Sequence, residues 1–394
     1  MRASKTVPRE KTLTPGRHNA DDPASCEVRP VRSRRELRAF IRLPWRLYAD
    51  APCWVAPLLL QEKARFNPRK NPYFDHADVQ LFLAWRSGQP VGRIAAHVNH
   101  EHNRYWQDSV GFFGFFESVE DYAVAEALFK SAAAWLRERG RTAMRGPMNF
   151  STNEEVGFLA EGFDLPPAIM MPYTQEFYLA YAEQVGLRKV KGLLMWHIDV
   201  EIADLSRYEP LAERIRERVG FTLRNIDPRH YAAELDRIKR VYNDAWSRNW
   251  GFVPMTDREF EHFAREIKPL VQPACAQIAE KDGEPIGFCL SLPDINRILA
   301  RMNGRLFPTG LFKLMCGLRK LTALRTITLG TRTAYRNRGI ESVFLVEIVR
   351  RTVAAGYRTS EMGWTLEDNA LINKPLEQMG GRLLKRYRIV EMPL

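Results

Sequence analysis

Apolar positions along the chain follow two periods, one typical of strands and one typical of helices. Apolar runs at 79–85 and 276–279 each lead into a Gly/Pro turn and a second apolar run, which predicts two β-hairpins. Apolar spacing of about 3.6 residues at 125–139 and 343–355 predicts two helices, which glycines at 140 and 356 would end. Both halves of the chain therefore carry a similar series of elements.

Two short motifs also recur at nearly one offset. GQPVG at 88–92 returns as GEPIG at 283–287, and EQVG at 183–186 returns as EQMG at 377–380. Chance is the alternative for such short Gly/Pro motifs, but two in register with a helix between them favour duplication. We place extra residues of the two halves at 148–168 and 293–324, where we expect specialised function.

These patterns predict an α+β (mixed α/β) fold built from two tandem domains. We divide the chain into a disordered tail at 1–27, a first domain at 28–200 and a second at 201–394. No apolar run reaches the 18 residues that a membrane-spanning helix needs. Five cysteines without CxxC spacing predict free thiols in a reducing compartment, hence the cytoplasm, and no structural zinc.

Charge is distributed unevenly along this chain of net charge +12. Ten Lys or Arg and no acid occur between residues 295 and 340, so this region is expected to face an anion. The candidates are a phosphorylated cofactor, an acidic carrier protein, an anionic membrane surface and nucleic acid. Nucleic acid is disfavoured because the region lacks a recognition helix and interleaved stacking aromatics.

A predicted strand at 325–331, a basic loop at 335–341 and the helix at 343–355 follow one another directly. Amides at a helix N-terminus with positive side chains beside them are typical of a pyrophosphate site. The predicted phosphate ligands are the five loop residues Arg336, Asn337, Arg338, Gly339 and Ile340.

This loop resembles the coenzyme A loop of the GNAT superfamily, Arg/Gln-x-x-Gly-x-Gly/Ala, through Arg336 and Gly339, whereas Glu341 stands at a small-residue position. The resemblance implies an acyl-CoA N-acyltransferase fold in which the strand backbone at Leu329, Gly330 and Thr331 faces the thioester. Asn369 matches a family Asn that contacts the pantetheine arm.

The same resemblance places Leu376 where the family has a Tyr that donates a proton to the departing thiolate. Tyr335, Tyr387 and water are the alternative donors, and Tyr387 is our candidate. The corresponding loop of the first half, ESVEDY at 117–122, has three carboxylates and no glycine. Because these charges would repel a diphosphate, we expect the first half to be a scaffold and acceptor wall.

Over most of residues 28–394 the chain also resembles bacterial tandem-GNAT proteins, some of which are ceramide synthases. Residues 146–155, 166–167, 170–173, Glu361 and 364–369 carry this resemblance.

Acyl transfer to an amine needs a base and a site for the amine. Glu361 is the candidate base because alternation along its strand puts it opposite Met362 and beside the cleft, although a solvated edge or an Arg partner is the alternative. Asn149, Asn153, Glu154 and Tyr173 are predicted to bind the substrate, for example an amino-diol head group; a helix-capping loop is the alternative. No metal site is predicted, since His97, His100 and His102 lack further ligands.

The sequence thus predicts transfer of an acyl group from acyl-CoA or acyl carrier protein to an amine, best assigned as a sphingoid base. Acetylation of a small soluble amine or peptide, or an inactive tandem-GNAT binding protein, are the alternatives. Residues 304–324 alternate apolar and basic side chains, which predicts a helix from about Thr309 at an anionic membrane interface and hence peripheral attachment to the inner membrane. A helix packed on the core with solvated basic residues is the alternative.

Overall fold

The computed structural model of the protein describes residues 26–394. Within that range the chain forms 12 α-helices and 13 β-strands. The strands are β1 (Glu27–Pro30), β2 (Ala77–Arg86), β3 (Gln89–Asn99), β4 (Val110–Ser118), β5 (Ala143–Gly146), β6 (Phe158–Glu161), β7 (Arg188–Asp199), β8 (Thr222–Asn225), β9 (Ala276–Lys281), β10 (Glu284–Pro293), β11 (Ala323–Thr331), β12 (Thr359–Leu366) and β13 (Arg382–Pro393). The helices are α1 (Arg34–Leu47), α2 (Leu59–Arg65), α3 (His100–Trp106), α4 (Tyr122–Arg137), α5 (Glu176–Val185), α6 (Glu209–Val219), α7 (Tyr231–Ala245), α8 (Asp257–Ile267), α9 (Asn296–Leu299), α10 (Gly310–Leu318), α11 (Ile340–Ala354) and α12 (Ala370–Gln378).

The strands form one mixed sheet in the order β1-β2-β3-β4-β5-β13-β7-β12-β11-β10-β9-β8, with β6 paired beside β13. The two predicted hairpins are confirmed as β2-β3 and β9-β10, which turn at Gly88 and Gly283. The predicted mixed α/β fold of two similar halves is also confirmed, because β2 to β5 and β9 to β12 repeat one order.

The halves exchange their last strands at the middle of this sheet. β13, from the second half, pairs with β5, and β7, from the first half, pairs with β12. β7 and β13 pair with each other over Arg188–Asp199 and Arg382–Pro393. The predicted division at residue 200 falls just after β7, but it does not separate two sheets.

Each half places helices on both faces of the sheet. On one face α4 and α5 cover the first half, while α6, α11 and α12 cover the second. On the other face lie α1 and α2 of the first half and α7 and α8 of the second. The first residues of each half thus share a face, and they enclose a space between the halves.

The predicted tail needs one correction. Residues 1–25 lie outside the described part of the chain, but Glu27 opens β1 and pairs with Trp85 on β2, because an edge strand can add to the free side of that hairpin. The two predicted insertions lie where expected, the first around β6 and the second as α9 and α10. No helix between residues 26 and 394 is long and apolar enough to cross a membrane.

Candidate active site

The loop between β11 and α11 has the backbone geometry of an anion site. Gly339 is the N-cap of α11 with a φ of 82°, and Asn337 has a φ of 58°. The first two N–H groups of α11, at positions 340 and 341, have no acceptor in the described chain, whereas the N–H of Ser342 donates to the Gly339 carbonyl at 3.0 Å. The positive φ at position 339 favours glycine, and a Cβ on Gly339 would also lie 2.6 Å from Cδ1 of Ile215 on α6, which would have to move. The loop can therefore present backbone N–H groups and the helix dipole to a phosphate.

The charged side chains of this loop point in different directions. Arg336 donates to the backbone carbonyl of the last residue of α7. Arg338 is exposed and lies 5.2 Å from the ring centre of Tyr335. Glu341, which departs from the family pattern, accepts a hydrogen bond from the Thr331 hydroxyl. That hydrogen bond ties the acid to the end of β11, and both arginines remain beside the loop.

In the first half, a carboxylate closes the corresponding loop between β4 and α4. Asp121 is the N-cap of α4, accepts from a first-turn backbone N–H at 2.9 Å and pairs with Arg86 at 2.6 Å. Glu117, at the end of β4, accepts from the buried hydroxyls of Tyr48 and Tyr178 at 2.6 and 2.9 Å, and burial raises its pKa. This helix N-terminus already holds an anion from the chain itself.

In the second half, strands β11 and β12 are paired at one end and separate at the other. They are in register from Ala323↔Thr359 to Thr326↔Met362, after which β11 continues along β10 through Thr331. Arg325 supports the point of separation: its guanidinium donates to the Gly363 carbonyl at 3.0 and 3.2 Å and to the carbonyl of Ile169. The backbone of Leu329, Gly330 and Thr331, predicted to face the thioester, lies beyond this point.

In the first half, β4 and β5 separate in the same way after three register pairs. Here the chain fills the gap: the N–H of Met148 donates to the Phe113 carbonyl at 2.7 Å, and the N–H of Phe115 donates to Oδ1 of Asn149 at 2.7 Å. A Cβ on Gly114 would lie 1.9 Å from the Met148 carbonyl oxygen. The first half therefore has no room for a pantetheine arm between these strands.

A cavity of about 180 Å³, which we call the smaller cavity, lies on the sheet face covered by α7 and α8, beside the point where β11 and β12 separate. Its wall is largely apolar and includes nine aromatic residues: Tyr231, Tyr242, Trp246, Trp250, Phe252, Phe260, Phe263, Phe288 and Trp364. Trp246 packs on Gly330, where a Cβ would lie 2.4 Å from the indole ring. Gln277 and Thr328 line the cavity with buried side-chain atoms that make no hydrogen bond to the described residues. Such a wall suits an apolar chain with a few polar groups.

A second cavity of about 300 Å³, the larger cavity, lies between α1 and α2 of the first half and α8 of the second. All four predicted substrate-binding residues line it: Asn149, Asn153, Glu154 and Tyr173. Its wall also carries the carboxylates Glu62, Glu117, Glu155, Glu259 and Glu266, against the cations Arg65 and Arg93 and the imidazole of His262. The two cavities adjoin, because Asn153 and Glu154 line both.

The four residues differ in how far their polar groups are already used. Asn149 is fully engaged, since its amide also donates to Glu155 at 2.8 Å. Asn153 accepts from the Tyr242 hydroxyl, and the Tyr173 hydroxyl donates to a backbone carbonyl at 3.1 Å. Glu154 lies 3.5 Å from Nε of Arg65, keeps 29% of its side chain accessible and has a pKa that burial raises to about 8. Glu154 is thus the most available of the four for a cationic ligand.

The two predicted catalytic side chains lie under the sheet face that carries the cavities, although neither lines a cavity wall. Oε2 of Glu361 and the hydroxyl of Tyr387 are both buried without a hydrogen-bond partner in residues 26–394. Burial, with Asp294 nearby, raises the pKa of Glu361 to about 7. Burial raises the pKa of Tyr387 above its usual range, and Glu361 adds to that shift. As predicted, Met362 faces the opposite core, beneath α11.

Two further predicted positions have different surroundings. Asn369 is the N-cap of α12 and is exposed, without a side-chain cap bond, so it is accessible to a ligand. Leu376 is 1% exposed and packs in the core beneath α11, which explains an apolar residue there. Buried Asn373, which the sequence did not single out, accepts from Trp196 and Thr365 and donates to the Leu366 carbonyl, and so holds the end of β12.

Sequence reasoning missed the residues that shape the smaller cavity. Arg325 was counted only within the basic region, although a charge inside a β-rich strand is itself a signal of a buried role. Trp246 and Gln277 carry no motif, and the chain pattern alone does not bring them to β11. Of the three histidines, His97 bonds to Tyr73 at 2.7 Å and to the Met148 carbonyl at 3.1 Å, and burial lowers its pKa to about 4.

Among residues 26–394, no group of three or more His, Cys, Asp or Glu is arranged to hold a metal ion.

No protein-family model matches the chain. Protein YghO of Escherichia coli is 36% identical over 372 residues, covering 92% of this chain and 94% of that protein. A bacterial ceramide synthase of Caulobacter vibrioides is 36% identical over 380 residues, covering 94% of this chain and 98% of that protein.

Among solved structures, the fold is similar to that of a tandem GNAT protein from the clavulanic acid biosynthesis pathway. That match has a TM-score of 0.51 and 13% identity, and covers 94% of this chain and 98% of that chain. At such low identity the likeness concerns the fold, and it agrees with the duplicated halves. The chain therefore belongs to the same family as protein YghO and the bacterial ceramide synthase, and its fold is that of a tandem GNAT protein.

Proposed function

We propose that the protein is an N-acyltransferase whose second half binds an acyl-CoA thioester and whose larger cavity binds the acceptor amine. The observation that carries this proposal is the position of residues 153–154. They belong to the first half, yet they line both the acidic larger cavity and the aromatic smaller cavity beside the thioester strand. An amine and a thioester bound on these two sides would meet at the point where β11 and β12 separate.

The loop before α11 would hold the diphosphate with its free amides and with Arg338. Arg336 would hold the loop in place through its hydrogen bond to the end of α7. The pantetheine would lie between β11 and β12, along Leu329 to Thr331, with Asn369 near its outer part. In the first half, both places are taken by protein groups, the Asp121 carboxylate and residues 148–149. One thioester per chain is therefore proposed.

An amine is protonated at neutral pH and must lose a proton before it attacks the thioester carbon. Glu154 has a raised pKa of about 8, and an ammonium bound beside it would favour its ionised form and be held by it. Glu361, which lies behind the cavity wall, would accept the proton through one bridging water, since a carboxyl with a pKa of about 7 is suited to this exchange. The C–N bond forms as the C–S bond breaks. The second proton leaves the nitrogen as the amide forms, and Tyr387 would relay it to the departing thiolate, giving free coenzyme A.

A long-chain lipid amine is the acceptor that we propose, with a polar head in the larger cavity. Three features support it: the excess of carboxylates in that cavity, the apolar wall of the adjoining one, and the name of the 36% identical ceramide synthase. A small soluble amine would use the carboxylates but not the aromatic wall.

The test is an assay of purified protein with acyl-CoA and with acyl carrier thioester, against a sphingoid base and against short-chain amines. We expect amide product with the long-chain amine, detected by mass spectrometry. Product with short amines alone would overturn the lipid acceptor. Absence of any product, together with thioester binding by calorimetry, would indicate a binding protein.

A further inference from the structure

Helix α10 has apolar residues on two opposite faces. Its inner face, with Leu314 and Leu318, packs against the core of the second half, and Gly317 lies against Ile298 on α9. A helix that is apolar all round is normally enclosed by protein or lipid. The outer face of α10 is not covered by any described residue.

The exposed residues of this region form one apolar surface, which we call the α10 patch. Its members and exposed fractions are Phe307 (68%), Leu311 (41%), Phe312 (70%) and Met315 (63%). Leu60, exposed by 61%, follows Leu59, whose N–H donates to the carbonyl of Gly304 at 3.0 Å. Four large apolar side chains exposed within nine residues are unusual for a surface that faces only water.

A basic rim surrounds the patch. Its members, all exposed, are Arg301, Arg305, Lys313, Arg319 and Lys320. None of them forms an ion pair with another residue between 26 and 394, and no Asp or Glu occurs between residues 295 and 340. An apolar centre with unpaired cations around it complements an anionic lipid surface, where the chains accept the apolar groups and the head groups the cations.

The patch lies near the acceptor side of the site rather than the thioester side. The insertion that carries it enters β11 at Ala323, whereas the phosphate loop follows Thr331, roughly 26 Å along the strand. The same insertion supplies Ile295, Asn296 and Leu299 to the wall of the larger cavity. A carrier protein would instead dock where its phosphopantetheine reaches the phosphate loop.

We propose that the α10 patch docks the protein on an anionic membrane surface, so that the larger cavity takes its acceptor directly from the bilayer. The uptake of an acceptor from the bilayer rests on the lipid amine of the proposed function. The docking itself does not, because it requires no substrate.

The experiment is flotation of the full chain with vesicles of phosphatidylcholine containing about 30% phosphatidylglycerol, without thioester or amine. Docking predicts binding at low salt, weakening above about 0.3 M salt and absent from pure phosphatidylcholine. The double variant Phe312→Ser with Lys320→Glu should lower the partition coefficient at least about tenfold. The matched control Ile202→Ser with Arg207→Glu, which removes an exposed Ile (80%) and a cation elsewhere, should float like the wild type.

Four outcomes would overturn the proposal. The wild type could stay unbound at low salt, or the Phe312/Lys320 variant could float as well as the control. Alternatively, the same variant could dissociate a dimer, or slow turnover only with acyl carrier thioester, which would assign the patch to a second copy or to a carrier protein. Turnover of a soluble short-chain amine, measured without vesicles, reports on the proposed function separately.

Discussion

The two halves share a strand-loop-helix unit, yet only one of them leaves its helix N-terminus open. At β4 and α4, Asp121 caps the helix and residues 148–149 fill the gap between the strands. At β11 and α11, a glycine cap leaves the first two amides of the helix free, and Arg325 borders the gap. Because the backbone order is the same in both, a few side chains decide whether this unit stays open or is closed by the chain itself.

The two halves also differ in a pair of opposite residues close to the point where the strands separate, on β11 and β12 in the second half and on β4 and β5 in the first. Where the second half pairs Arg325 with Glu361, the first half pairs Phe112 with Arg145. Arg145 is bound to Glu391 on β13 at 2.6 Å, whereas Oε2 of Glu361 has no partner in the described chain. At this strand pair the first half therefore has a charge that is paired, whereas the second half keeps a buried carboxyl oxygen without a partner. The following predictions test this difference, from the largest expected effect to the smallest.

Glu361→Gln should lower kcat by about 10²–10⁴ with thioester affinity unchanged, since it removes a base and leaves the loop intact. The ionised form is the active one and burial raises its pKa to about 7, so wild-type kcat should fall as pH drops below about 7. The variant should lose this dependence. Steady-state kinetics across pH would measure both effects. Arg145→Gln, at the equivalent position, is the control and should keep turnover within a few-fold.

Gly339→Asp copies the capping acid of the first half into the second. We expect thioester affinity to fall about a hundredfold by calorimetry, because the carboxylate takes the amides and the side chain meets Ile215. Arg336→Glu should act in the same direction. Asp121→Gly is the matched change in the first half and should leave affinity unaltered. If both folded second-half variants bound as the wild type does, the assignment of the loop would be wrong.

Glu154→Gln tests what the first half contributes to the reaction. We expect KM for the amine to rise about tenfold while kcat stays within a few-fold, because the change removes the carboxyl group that a bound ammonium would ionise and pair with. Glu161→Gln, an exposed acid of the same half outside both cavities, should change neither parameter. A fall in kcat with KM unchanged would instead make Glu154 the base.

Gln277→Leu tests the polar atoms of the smaller cavity, where the equivalent residue of the first half is the buried Phe82. Removing an unpaired buried amide should raise the free energy of unfolding by about 1 kcal/mol in denaturant titrations. If the amide contacts substrate, KM should also rise by a few-fold. A loss of stability would show that Gln277 is bonded in the folded chain and not held for a ligand.

The sequence predicted the duplication, the hairpins and the loop before α11, because each depends on local turn chemistry or helix periodicity. The dense polar segment that contains Asn149, Asn153 and Glu154 was also singled out from the sequence, as was Tyr173, and all four residues line the larger cavity. The strand exchange was not predicted, since pairing between residues such as Gly146 and Val390 has no local signal. For the same reason, the sequence did not show that Asn149 would fill the gap of the first half.

The exchanged strands also bear on how the chain acquires its structure during synthesis. Residues 382–393 fill the place beside β5, so the sheet of the first half stays incomplete until most of the second half has been made. Contacts between residues so far apart in sequence form slowly and leave strand edges exposed in the meantime. A nascent chain of this protein would therefore need protection of β5 and β7 until β13 emerges from the ribosome.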